Sequence, residues 1–218
     1  MKPKLDTLAP LYAQVSIGSF SNLIGDALEL VVFKALQSLN EAKPHLAFDG
    51  AFDLSSPKNS QGRYKKIEPS NTISGHSTTK RADFILYGFP RGPICIECKN
   101  YREWIYPDHH IITELIKKSI ELQTTPLLIA RRIHYTTLTN FLEPAGIIAH
   151  QSYYQYYPAD KQELVKKLRH KRSLGFSDIR ATEEPDARTL KFFHEDLQKM
   201  AIVWPKDSGG INRHWRII

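Results

Sequence analysis

Apolar residues at Ile24, Leu28, Val31, Val32, Ala35 and Leu39 recur every three to four positions, which predicts a long amphipathic helix from about Ser21. Ser19 or Ser21 is available as its cap and Pro44 lies beyond its end. Residues 45–53 alternate weakly and read as a strand, whereas residues 55–79 are rich in Ser, Asn, Gly and Lys and predict a long, mobile or substrate-contacting loop. Two short apolar runs, 82–89 and 93–98, flank Pro90-Arg91-Gly92-Pro93, the pattern of a β-hairpin. Asp108 can then cap a helix with Ile111, Ile112, Leu115, Ile116 and Ile120 on its buried stripe and Glu114, Lys117, Lys118 and Glu121 on its wet side. Residues 126–130 read as a buried strand, Thr136 or Thr137 opens a short helix, and residues 145–149 form a further strand. Helix, three strands, helix, strand, short helix, strand is the order of an α/β fold with a mixed sheet flanked by helices.

Beyond residue 150 the pattern changes. Tyr153-Tyr154-Gln155-Tyr156-Tyr157 is followed by a basic helix over 160–172 and another helix over about 185–200. This mostly helical stretch, 151–218, is too sparsely apolar to form a separate core and is expected to pack on residues 1–150. The tyrosine cluster reads as core or interface, with stacking on a single strand as the alternative.

With 41% hydrophobic and 24% charged residues in 218, the chain is globular in composition. Thirty Lys and Arg against 23 Asp and Glu leave a formal charge of +7, which favours an anionic partner but falls short of ribosomal-type basicity. Two cysteines are too few for a secreted disulfide scaffold. Residues 1–12 lack the apolar stretch of a signal peptide, and no run is long enough to cross a membrane, so the expectation is a cytoplasmic protein without a membrane partner.

The chemistry-bearing residues cluster on the predicted hairpin. Asp83 opens its first strand and Glu97-Cys98-Lys99 closes its second. Period-two alternation puts Glu97 and Lys99 on one face and Cys98 on the other, and pairing of the strands would bring Asp83 near Glu97. Charges inside a sheet are costly unless paired or bound to metal, and hard oxygen ligands suit Mg²⁺ or Mn²⁺. Cys95-x-x-Cys98 with His109 and His110 invites a zinc reading, but alternation turns the two thiols to opposite faces. His109 and His110 fall in a first helical turn, as exposed polar residues or as contacts to a phosphate. No Gly-rich phosphate loop and no Gly-x-Ser-x-Gly elbow is present.

Asp83 followed by Glu97-Cys98-Lys99 resembles the PD-(D/E)XK, or restriction-endonuclease-like, nuclease superfamily over residues 20–150, with Ala82 standing where the nominal motif has proline. The resemblance implies a core of helix, three strands, helix and strand, the order read above from periodicity. It implies that Asp83 and Glu97 bind Mg²⁺, with Mn²⁺ as a substitute, that the Cys98 carbonyl adds a ligand, and that Glu29 of the first helix contributes directly or through water, Asp26 being the competing acid. Lys99 would orient or deprotonate the attacking water and stabilise the pentacoordinate phosphate, its own pKa depressed beside the metal-bound water. The implied activity is endonucleolytic hydrolysis of DNA, restriction-type by preference, with a Holliday-junction or repair nuclease and a non-catalytic nucleic-acid-binding module as alternatives. RNA stays open as a substrate, as does targeting by a partner protein, and cutting two strands implies a homodimer.

Charge concentration completes the picture. Lys58, Arg63, Lys65, Lys66, Lys80 and Arg81 face only one acid, Glu68, just before Asp83. Arg63, Lys65, Lys66, Lys80 and Arg81 are the expected backbone contacts, each adding a salt-dependent increment. Lys161, Lys166, Lys167, Arg169, Lys171 and Arg172 form a second basic group, opposed by Asp160 and Glu163. A solvated loop and a solvated helix face are the plainer reading of both.

Overall fold

A computed structural model describes residues 5–16, 18–171 and 174–203 of the chain. Two helices open it, α1 (Leu5–Ser16) and α2 (Gly18–Ala42). The α2 helix begins a few residues before the expected Ser21 start, and it buries Leu28, Val31, Val32, Ala35, Leu36 and Leu39 almost completely. α1 differs from the expectation for this stretch, where Pro10 stands inside the helix and argues against one.

The central sheet has five strands in the order β1 (Phe48–Asp49), β6 (Phe84–Leu86), β7 (Ile94–Lys99), β8 (Thr125–Ala130) and β9 (Ile148–Gln151). β1, β6 and β7 run antiparallel, whereas β7, β8 and β9 are parallel, so the sheet is mixed. The connection from β7 to β8 passes through α3 (His110–Leu122). That from β8 to β9 passes through α4 (Tyr135–Thr137), which widens into a π-helical turn over Leu138–Leu142. α2 covers one face, packing on Phe84, Ile94, Ile96, Cys98, Leu127 and Ile129. α3 covers the other, on Ile85, Cys95, Leu128 and Ala130. At about 25 cal/mol per Å² of apolar surface removed from water, this two-faced burial is the main favourable term in the fold.

Three expectations are corrected. Residues 45–53 are not one strand: Gly50, at φ +97°, breaks them into β1 and β2 (Ala51–Asp53). A Cβ at Gly50 would stand 2.8 Å from the Asp83 carbonyl, so glycine is required where this turn passes the sheet. Residues 55–79 are not a structureless loop. β2 pairs with β3 (Lys65–Ile67), and β4 (Thr72–Ile73) pairs with β5 (His76–Ser77). The cap of α3 is His109 in place of Asp108, its Nδ1 accepting the Ile111 N–H at 3.4 Å.

Residues beyond 150 form β10 (Gln155–Tyr157), α5 (Gln162–Arg169), β11 (Ile179–Ala181), α6 (Ala187–Lys191), a π-helical turn over Phe192–Asp196 and α7 (Leu197–Val203). β10 and β11 pair in parallel, and Arg172 of the expected basic helix lies outside the described residues. Tyr156 and Tyr157 are buried, whereas Tyr153 is exposed. Tyr156, Phe192, Phe193 and Leu197 share one apolar cluster with α2 and the sheet. Asn100, directly after β7, ties these parts together. Its side-chain amide donates to the carbonyls of Ile24 at 2.6 Å and Tyr156 at 2.7 Å, and its Oδ1 accepts the Tyr156 N–H at 3.1 Å. No helix among the described residues is long and apolar enough to cross a membrane.

Candidate functional site

The β6–β7 register pairs Phe84 with Ile96, and the Asp83 N–H donates to the Ile96 carbonyl at 3.1 Å, so Asp83 stands beside the Glu97-Cys98 end of β7. Its Oδ2 accepts the Cys98 N–H at 2.7 Å, a bond that fixes the carboxylate against the strand. Oδ1 faces Lys66 Nζ at 3.1 Å. The same ammonium lies 2.7 Å from Glu29 Oε2 and 3.8 Å from Glu68 Oε2. Of the two candidate acids on α2, Glu29 therefore shares Lys66 with Asp83, whereas Asp26 is held by the guanidinium of Arg63, with Nη2 to Oδ1 at 2.9 Å.

Glu97 belongs to the other side of β7. It pairs with Lys99, its neighbour two residues on, and with Lys118 of α3, while Cys98 packs into the α2-side core. The alternation thus runs as read from the sequence. Lys118 is the surprise, because it is 3% exposed in place of lying on the wet side. Its ammonium also donates to the Arg81 carbonyl at 2.7 Å, so one buried cation fastens the approach to β6 and the acid of β7 to α3. Position 118 falls seven residues after Ile111 and three after Leu115, on the buried stripe, and that spacing is the signal that could have revealed it. Lys66 carries a similar signal, since in β3 it is the inward residue between exposed Lys65 and Ile67.

Electrostatics follow from this pairing. Burial, then repulsion from Asp83, pushes the Glu29 carboxyl up to about 8 despite Lys66. Glu29 thus holds its proton to a higher pH than an ordinary carboxyl. Burial opposes the charge on Lys66, but Asp83 and Glu29 outweigh it and hold the ammonium above the usual lysine range. Lys99 is likewise raised, Glu97 and Asp83 overcoming burial. Burial raises the Cys95 thiol to about 12 and drives Cys98 well above its ordinary value, and the two lie in opposite core clusters, so neither is poised as a thiolate ligand.

The expected basic loop is mostly spent internally. Arg63 holds Asp26, Lys66 holds Glu29 and Asp83, Lys58 pairs with Glu183 at 2.9 Å, and Lys80 pairs with Glu114 at 3.1 Å. Lys65 is exposed, and Arg81 is exposed with Glu68 3.9 Å away. Of the five expected backbone contacts, Arg63, Lys66 and Lys80 are paired with acids of the chain, whereas Lys65 and Arg81 are the more exposed.

Among the described residues, no group of three or more His, Cys, Asp or Glu side chains is arranged to hold a metal ion. The donor chemistry nevertheless suits a hard cation. Glu29 and Asp83 turn carboxylate oxygens toward one point that Lys66 fills, and Glu97 stands on the adjoining strand position with Lys99. Comparison with protein-family models, curated proteins and solved structures returns no match to this chain.

Proposed function

We propose that the chain is a divalent-metal-dependent nuclease of the restriction-endonuclease-like type, hydrolysing phosphodiesters of DNA. The observation that carries the reading is the convergence of Glu29 and Asp83, from a helix and a strand far apart in sequence, on one cation beside the Glu97–Lys99 pair. Glu29, Asp83 and Glu97, with the Cys98 carbonyl, would hold Mg²⁺ or Mn²⁺ once Lys66 and Lys118 yield. Such an ion supplies a water of lowered pKa and neutralises charge that builds on the phosphate. Lys99, at the end of β7, orients the attacking water and donates to the phosphoryl oxygens. Lys65 and Arg81, exposed near Asp83, hold the flanking backbone, and a pair of protomers would cut both strands.

One observation favours a second reading, a non-catalytic nucleic-acid-binding module: Asp83 and Glu97 are already matched by lysines, Asp83 by Lys66 and Glu97 by Lys99 and Lys118. Incubation of the purified protein with plasmid, linear duplex, four-way junction, single-stranded DNA and RNA decides between them. Cleavage in Mg²⁺ or Mn²⁺, lost in EDTA and in Asp83→Asn and Lys99→Ala, is the expected result. Undiminished cleavage by both variants removes this site from the reaction. Nucleic-acid binding without cleavage, together with no saturable Mg²⁺ binding by calorimetry, favours the module.

A further inference from the structure

Immediately after Lys99 and Asn100 the chain runs along the carboxyl ends of the parallel strands β7 and β8, the edge of an α/β sheet where ligands are commonly bound. Here Ile105 bridges to Ile133 in parallel. The Ile105 N–H donates to the Arg132 carbonyl at 3.0 Å, the His134 N–H to the Ile105 carbonyl at 3.1 Å, and Thr137 Oγ1 to that same carbonyl at 2.9 Å. Ile105 and Ile133 are buried, so alternation turns Trp104 and Tyr106 outward from a fixed backbone. Trp104 is 42% exposed, Tyr106 47%, Tyr101 43% and Tyr135 73%.

These rings are ordered against one another. Tyr106 stacks on the His134 imidazole at 4.8 Å and 28°, and Trp104 meets the same imidazole edge-on at 6.0 Å. The Arg132 guanidinium lies 5.3 Å over the Trp104 ring and is anchored by Asp178 at 3.1 Å. We propose that this aromatic ledge binds unpaired nucleobases, so that the substrate of the adjoining site is a single strand or the single-stranded part of a branched DNA. The inference rests on the nuclease reading for the site, though not for the ledge itself.

Three features select this occupant. An apolar peptide would seek aliphatic surface, but the aliphatic residues here, Ile105 and Ile133, are buried and what is offered is ring faces and polar ring edges. A continuous duplex hides its base faces in its own stack and presents phosphates, and Glu103 and Asp108 in this segment make the ledge a poor match for a purely electrostatic contact. Unpaired bases expose the faces that Trp and Tyr can cover, irrespective of sequence, while Arg132 supplies a partner for an adjacent phosphate.

The test separates binding from cleavage. Fluorescence anisotropy of a labelled oligothymidylate and of a duplex of equal length is measured in EDTA on the full chain, on Trp104→Ala/Tyr106→Ala and on Trp104→Phe/Tyr106→Phe. The single strand is expected to bind more tightly than the duplex, to lose at least about tenfold in the alanine variant and to be largely retained in the phenylalanine variant. Duplex binding is expected to stay unchanged. Equal binding of strand and duplex, or undiminished strand binding by the alanine variant with an unaltered melting temperature, overturns the proposal. A dimer in light scattering that the alanine variant dissolves, without loss of strand binding, also overturns it by assigning the ledge to a second copy of this chain. Because no metal is present, strand binding that depends on the rings stands even where no DNA is cut in Mg²⁺, and metal-dependent cleavage lost in Lys99→Ala stands even where the rings prove indifferent.

Discussion

Replacing Lys118 by methionine keeps the length of the side chain and the helix propensity of α3 while deleting the buried ammonium. Two partners are then stranded. The Arg81 carbonyl loses its donor at 2.7 Å, and Glu97 keeps only Lys99. Breaking a buried ion pair by removing one member costs about 3–5 kcal/mol, and the remaining Lys99 argues for the lower end, about 3 kcal/mol. With a urea m-value of about 2–3 kcal/mol/M, expected for a chain of this size, the unfolding midpoint should fall by about 1–1.5 M at unchanged m. Lys117→Met is the control, since Lys117 lies one residue away on the exposed side and should change stability by no more than about 0.5 kcal/mol. Adding Glu97→Gln to Lys118→Met should cost less than the sum of the two single changes, by at least about 1 kcal/mol. Equal small effects at positions 117 and 118 would refute the placement of Lys118 as an internal cation.

Burial lowers His150, stacked on Phe192 at 4.3 Å, to about 4. Its folded pKa lies below the unfolded value of 6.5, so the unfolded chain binds more protons and stability is lost as pH falls from 6.5 towards 4, by about 3 kcal/mol from this group; urea midpoints of His150→Gln across that range should show a flatter acid limb. Asn100→Leu leaves the Ile24 and Tyr156 carbonyls and the Tyr156 N–H without their partner and should cost about 3 kcal/mol in thermal or urea unfolding. Lys66→Gln removes the tethered cation between Glu29 and Asp83, so Mg²⁺ should bind about tenfold tighter in calorimetry, whereas weaker binding would show that Lys66 helps to assemble the carboxylates. Arg131→Met removes the buried one of the two arginines that Asp178 pairs with, leaving Arg132, and should lower the melting temperature by several degrees, about 2–4 °C per kcal/mol lost.

Much of the sheet was legible because local pattern and tertiary role coincide there. The Pro90-Arg91-Gly92-Pro93 connection and the apolar runs on either side specify the β6–β7 pair, and alternation specifies the face shared by Glu97 and Lys99. Glu29 was legible as an acid in an apolar helix stripe, although choosing it over Asp26 needed the position of Lys66. What escaped depends on segments distant in sequence. Residues 55–79 look like a polar loop since their two hairpins are only two or three residues per strand, and Lys66 becomes a site residue only through the pairing of β3 with β2. The parallel β10–β11 ladder and the Asn100 contacts join residues tens of positions apart, where no local periodicity reports them.

The Asn100 tether also bears on the order in which the molecule becomes complete. A chain emerging from its amino terminus can form α2, the β6–β7 hairpin and α3 before residue 155 exists, since domains fold progressively during synthesis. Until Tyr156 arrives, however, the residue that follows Lys99 has one of its two carbonyl partners missing and no donor for its Oδ1. The geometry of the end of β7 therefore depends on a residue 56 positions further along the chain, so its contacts are complete only once the segment that carries β10 is in place.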